Sequence, residues 1–213
     1  MEVNIKPLSP NGEVFAISSK SDAHRAIISA SLADRDTKIS ISHTSKDIEA
    51  TLGCIKSMGA DYKKNGIVYE ISPVKNPAKN PTLDCFESGS TLRFLLPVLG
   101  CLGSGATFIG SGRLPERPME IIVDLLKEHG NSFSSSMLPI TISGKLLSGT
   151  YKIRGDVSSQ YISGLLFALP LLDDESKIIL TSKLESSAYV DLTIDILKKF
   201  GTKIIREGNE FLV

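Results

Sequence analysis

Three stretches of this sequence place hydroxyls, amides and cations just ahead of apolar runs: "SSKSDAHR" at 18–25, "ESGSTLR" at 87–93 and "DVSSQ" at 156–160. The first carries Lys20 and Arg25, the second Arg93, and the third two serines and a glutamine with no cation. A fourth stretch, "PERP", sets Arg117 before another apolar run. A helix start already holds unpaired N–H groups and partial positive charge, so cations gathered there are misplaced unless an anion joins them. Phosphate or carboxylate binding is the chemistry these residue types support. Ser21 reads as an N-cap with Arg25 on the same face four residues on, and Pro118 reads as the first helical residue of its segment. Gly89 would let a ligand approach the backbone closely. His24, His43 and His129 lie far apart, and Cys54, Cys85 and Cys101 form no CxxC pair, so a metal site is not expected and the cysteines read as small apolar residues.

The elements that must position these residues come in repeats. "KSMG", "KEHG" and "KKFG" end at Gly59, Gly130 and Gly201, a spacing of 71, and Ser21, Ser90 and Ser159 recur at a spacing of 69. Each unit reads as an apolar helix, a short strand, an amphipathic helix closed by glycine, and two further strands. The amphipathic faces are Ile48, Leu52 and Ile55; Ile122, Leu125 and Leu126; and Val190, Ile194 and Leu197. The turns "KNG" and "EGN" join the closing strands. "PVKNPAKNPTLDCF" and "GKLLSGTYKIRG" are connectors with room for short strands. The fold class expected is α/β: one domain of three βαβαββ repeats with approximate threefold symmetry, units at about 19–75, 86–144 and 156–213, preceded by a segment 1–18 outside the repeat. Equivalent helix starts would then face one side and focus on a common anion.

With 213 residues and 41% hydrophobic content the chain has material for a core. Lysine and arginine together number 24, as do aspartate and glutamate, which removes any global electrostatic case for nucleic acid or an anionic membrane surface. Apolar runs such as "LLFALPLL" are too short to span a bilayer, and the cytoplasm is the expected compartment.

The motifs "SSKSDAHRAIISASLA", "ESGSTLRFLLPVL", "GSGRLPERPMEIIVDLLKEHG", "VSSQYISGLLFALPLL" and "ESSAYVDLTIDILKKFG", in this order, resemble the 5-enolpyruvylshikimate-3-phosphate synthase family, the glyphosate target of the shikimate pathway. The resemblance implies an enolpyruvyl transferase fold of two similar domains, each of three βαβαββ units, with substrates in the cleft between them. It implies transfer of the carboxyvinyl group of phosphoenolpyruvate to the 5-hydroxyl of shikimate 3-phosphate, with no metal or organic cofactor. Carried onto this chain, Lys20 would touch both substrates and serve the chemistry, while Ser21 and Arg25 would hold the shikimate ring and carboxylate. Ser158 and Ser159 would bind the 3-phosphate, Gln160 would lie near both ligands, and Ser186 and Tyr189 would add shikimate-phosphate contacts. The Gly89 backbone and Arg117 would bind phosphoenolpyruvate, with Arg93 near the cleft. Glu87 and Ser90 stand where the family often has Asn and Thr, and Ala23 replaces a common serine.

Full family members are about twice as long, and their second domain supplies acid–base carboxylates and further cations. By this resemblance the chain is the N-terminal half, its partner the missing C-terminal domain, the complete enzyme a monomer, and residues 1–18 belong near the crossover. The half alone is expected to bind shikimate 3-phosphate weakly without turnover. Two other readings compete. A UDP-N-acetylglucosamine enolpyruvyl transferase would carry Lys followed by Asn and lack "SSQ". An RNA- or anion-binding module of βαβαββ type finds little support in neutral charge and 6% aromatic content.

Overall fold

The computed structural model describes residues 3, 4, 7, 9, 11–14 and 16–213. The expectation for the segment 1–18 therefore lies partly outside the described residues. The first unit runs α1 (Lys20–Ser31), β1 (Thr37–Ser40), α2 (Lys46–Met58), β2 (Asp61–Asn65) and β3 (Val68–Ser72). The second runs β4 (Thr82–Asp84), α3 (Gly89–Leu102), β5 (Ala106–Ile109), α4 (Glu120–Glu128), β6 (Asn131–Phe133) and β7 (Ile140–Gly144). The third runs β8 (Thr150–Ile153), α5 (Ser159–Ala168), β9 (Lys177–Leu180), α6 (Ser187–Lys199), β10 (Ile205–Glu207) and β11 (Glu210–Leu212). The two connectors do supply strands, β4 and β8.

The sheets are ordered β1-β3-β2, β4-β5-β7-β6 and β8-β9-β11-β10. In the second and third, the leading strand pairs in parallel with the strand that follows the first helix, and the remaining pairings are antiparallel. The parallel step requires a crossover, which α3 and α5 provide. The first sheet repeats the antiparallel part alone, so among the described residues one edge of β1 carries no partner strand.

Sequence composition explains which helices go inside. Most of α3 and α5 is buried, and they pack on each other, with Phe94 and Phe167 rings 5.5 Å apart. Their approach depends on Gly164, where a Cβ would collide with the Arg93 carbonyl. The second helices keep a solvent face. In α6 the buried stripe is Val190, Thr193, Ile196 and Leu197, with Ile194 only half-buried, so a threonine occupies an interior position the apolar pattern did not mark. Gly59, Gly130 and Gly201 all adopt positive φ at or just beyond their helix ends, as the repeat predicts. One large apolar cluster joins the second and third units, and a smaller one, with Ile27, Ile48, Ile55 and Ile71, underlies the first. No described helix is long and apolar enough to cross a membrane.

Candidate anion-binding site

The starts of α1, α3, α5 and α6 all contribute to one cavity of about 420 Å³. Serine side chains cap three of them. Ser19 accepts from the Asp22 N–H at 3.2 Å, Ser88 from Thr91 at 3.3 Å and Ser158 from Gln160 at 3.3 Å. Ser21 is therefore not the cap of α1; it lies one residue inside the helix, and Ser19 takes the role because its extended backbone turns the hydroxyl onto the first turn. All eight residues expected at shikimate 3-phosphate, namely Lys20, Ser21, Arg25, Ser158, Ser159, Gln160, Ser186 and Tyr189, line the cavity. Their convergence is geometric. What binds there belongs to the proposal below.

Arg25 is not a cation at the helix mouth with its charge in water. It is 3% exposed. Its Nε donates to Thr193 Oγ1 at 2.7 Å, and its two terminal nitrogens donate to the Ser21 and Tyr189 carbonyls at 2.9 and 3.0 Å. The guanidinium lies 4.9 Å from the Phe94 ring centroid and 5.9 Å from that of Tyr189. All these partners are neutral, and among the described residues Arg25 has no carboxylate in salt-bridge range. Burial lowers its pKa from 12.5 to about 10. A buried charge without a counter-ion on the wall of a polar cavity is arranged for an anion.

Lys20 is half-exposed at the rim, where Asp47 of α2 accepts its ammonium at 2.7 Å. At the entry to α6, Ser186 caps nothing with its side chain and adopts φ 56°, ψ 41°, a left-handed conformation that a non-glycine residue holds only under constraint.

A second basic group adjoins the cavity at the start of α3. A Cβ on Gly89 would stand 2.8 Å from an Arg117 nitrogen and 2.9 Å from an Arg93 nitrogen, so both guanidinium groups rest against the bare Cα. Arg93 donates to Gln160 Oε1 at 2.8 Å, Gln160 donates to Ser90 Oγ at 2.9 Å, and Arg93 Nε is buried without a partner. Gln160 thus joins the two groups. Gly89, Arg93 and Arg117 do not themselves line the cavity of about 420 Å³. Pro118 is not the first residue of α4, which begins two residues later at Glu120; a 3-10 turn, Leu114–Glu116, intervenes and leaves Arg117 extended.

Ser90, Phe94 and Val157 also line the cavity. Ser90 carried a signal, since it shares the 69-residue spacing with Ser21 and Ser159. Phe94 and Thr193, which support Arg25, carried none beyond core composition.

Comparison with known proteins agrees with this architecture. Residues 5–213 match the model of the family described as EPSP synthase (3-phosphoshikimate 1-carboxyvinyltransferase). A 3-phosphoshikimate 1-carboxyvinyltransferase of Clostridium kluyveri is 48% identical over 202 residues, which cover 93% of this chain and 47% of that protein. One from Clostridium novyi is 43% identical, covering 98% and 50% respectively. The solved EPSP synthase of Acinetobacter baumannii superposes with a TM-score of 0.80 at 25% identity, covering 95% of this chain and 46% of that one. The chain spans about half the length of the curated relatives it matches. With its motifs, its repeated connectivity and these matches in agreement, the chain belongs to the EPSP synthase family.

Proposed function

We propose that this chain forms the shikimate 3-phosphate half of a 3-phosphoshikimate 1-carboxyvinyltransferase. The observation that carries the reading is Arg25, a buried guanidinium with only neutral partners where four helix starts converge. In this reading Ser158 and Ser159 at the start of α5 take the 3-phosphate, and Arg25 with Ser21 takes the carboxylate and ring. Ser186 and Tyr189 complete the wall beside Arg25. Gly89, Arg93 and Arg117 receive phosphoenolpyruvate, and Gln160 links the two sites.

The reaction joins the 5-hydroxyl oxygen, as it gives up its proton to a base, to C2 of phosphoenolpyruvate while a proton is added at C3. A C3 proton is then removed as the C2–O bond to phosphate breaks, which re-forms the double bond and releases phosphate. Lys20, between both substrates, stabilises the charge that develops on the bridging and phosphate oxygens, and Asp47 holds its ammonium in place. The acid–base carboxylates come from the C-terminal domain, against which residues 19–213 close as one domain. The complete enzyme is a cytoplasmic monomer that uses no metal or cofactor.

Calorimetric titration of the chain tests the reading. Heat with shikimate 3-phosphate, and none with UDP-N-acetylglucosamine or a short RNA, supports it; heat with either of the latter alone overturns it. Turnover should appear only when the C-terminal domain of a relative is added.

A further inference from the structure

Beneath the site lies a buried hydrogen-bond chain with no role in the reading above. His24 Nδ1 is 2.6 Å from Thr51 Oγ1, which is 2.8 Å from Thr91 Oγ1, which donates to Ser88 Oγ at 2.7 Å. His24 and Ser88 are 1% exposed, Thr51 and Thr91 not at all. The chain crosses from α1 through α2 to the cap of α3.

Counting protons gives it a direction. Each hydroxyl has one proton, and that of Thr91 goes to Ser88. The Thr51 proton must then fill the short contact to Thr91, since its other acceptor, the Asp47 carbonyl, is farther away at 3.3 Å. The contact between His24 and Thr51 is therefore filled by an Nδ1–H on the imidazole. This leaves Nε2, buried without a partner, as a bare lone pair, which is less costly than an orphaned N–H. Ser88 receives both the Thr91 hydroxyl and the Thr91 N–H, so its own proton is the only one not consumed within the chain.

We propose that His24, Thr51 and Thr91 are positioning residues, a one-way hydrogen-bond chain that sets the cap and first turn of α3, and with them Gly89 and Ser90, against α1. The unpartnered Nε2 favours a neutral imidazole, since an imidazolium would bury a second N–H there with no acceptor. Burial lowers the His24 pKa to about 4, with Lys20 and Arg25 adding to the effect and Asp47 opposing it, so the ring is neutral at pH 7. The link to ligand binding rests on the function proposed above; the link to α3 does not.

The test uses the full chain labelled with 15N. Long-range imidazole correlations should show His24 as the Nδ1–H tautomer at pH 7. Thr51→Val should mix the two tautomers, shift the Gly89 and Ser90 amides, and weaken shikimate 3-phosphate about tenfold; Thr51→Ser should restore all three. Thr91→Val, a second break in the chain, should move the same amides and, because the Thr51 proton no longer has the Thr91 oxygen to fill, should also let part of the His24 population take the Nε2–H tautomer. An Nε2–H tautomer in the unmodified chain, or Gly89 and Ser90 amides unmoved in both valine variants, overturns the proposal. If the tautomer and amide responses appear but shikimate 3-phosphate gives no heat, the positioning chain stands and the ligand assignment fails.

Discussion

Replacing Arg25 by methionine should separate binding from stability. At neutral pH the guanidinium is charged in both folded and unfolded chains, yet its folded pKa falls from 12.5 to about 10. At 1.36 kcal/mol per pH unit, the charge is disfavoured in the folded state by about 3 kcal/mol. The sign is that of a depressed base: the cost is full at pH 7 and is relieved only as pH rises from 10 toward 12.5. Removing the charge leaves no acceptor stranded. The Ser21 carbonyl keeps its helical N–H partner, Tyr189 O keeps the Thr193 hydroxyl at 2.9 Å, and Thr193 keeps Ser163 at 2.8 Å. Methionine preserves much of the aliphatic stem against Phe94. The Arg25→Met chain should therefore unfold in urea within about 1 kcal/mol of the parent, or above it. Shikimate 3-phosphate, by contrast, loses a buried charge partner, at a cost of about 3 kcal/mol or roughly 100-fold in Kd. Calorimetry and urea melts on the same preparations read both quantities. Binding retained within about threefold, or destabilisation beyond about 3 kcal/mol, refutes the reasoning.

Other outcomes follow from the same geometry. Stability should fall by about 3 kcal/mol as pH drops from 6.5 to 4, because burial makes folded His24 the weaker base; His24→Gln should flatten that slope in urea melts taken across the range. Gly89→Ala should leave the melting temperature nearly unchanged, since the added methyl crowds only the side-chain ends of Arg93 and Arg117 and meets Leu114 at an ordinary 3.7 Å, yet it should displace both arginines, visible as shifts of their Nε resonances. Cys54, Cys85 and Cys101 are all buried; the Cys54 thiol and burial hold Cys85 well above its usual range, and burial pushes Cys101 up to about 12. A thiol reagent should label none of them in the native chain and all three in urea, with labelling followed by mass.

The repeat was legible because it is written in punctuation. Glycines at a fixed spacing need positive φ, and serines at a fixed spacing start helices. The eight cavity residues could be named because the family resemblance rests on motifs contiguous in sequence, each within the entry loop or first two turns of a helix. Local phase was less secure. Ser19 rather than Ser21 caps α1, and Arg117 precedes an extended step rather than Pro118 opening a helix, because neighbouring serines and prolines satisfy the same preference one or two residues apart. Hidden from the sequence was everything that depends on partners far along the chain. Arg25 looks exposed until Thr193, 168 residues away, takes its Nε, and His24 looks solitary until Thr51 and Thr91 arrive from two other helices.

The left-handed backbone of Ser186 bears on how this protein responds to engineering. Glycine would occupy that φ without strain, a gain of about 1 kcal/mol over serine, whose side chain makes no capping bond there to compensate. A library screened only for heat resistance should thus enrich Ser186→Gly, and the winners should have lost a hydroxyl from the cavity wall. Under the proposed assignment of Ser186, thermostability and ligand recognition select different residues at this position, and a campaign blind to the ligand would improve the fold by removing a hydroxyl from the cavity wall.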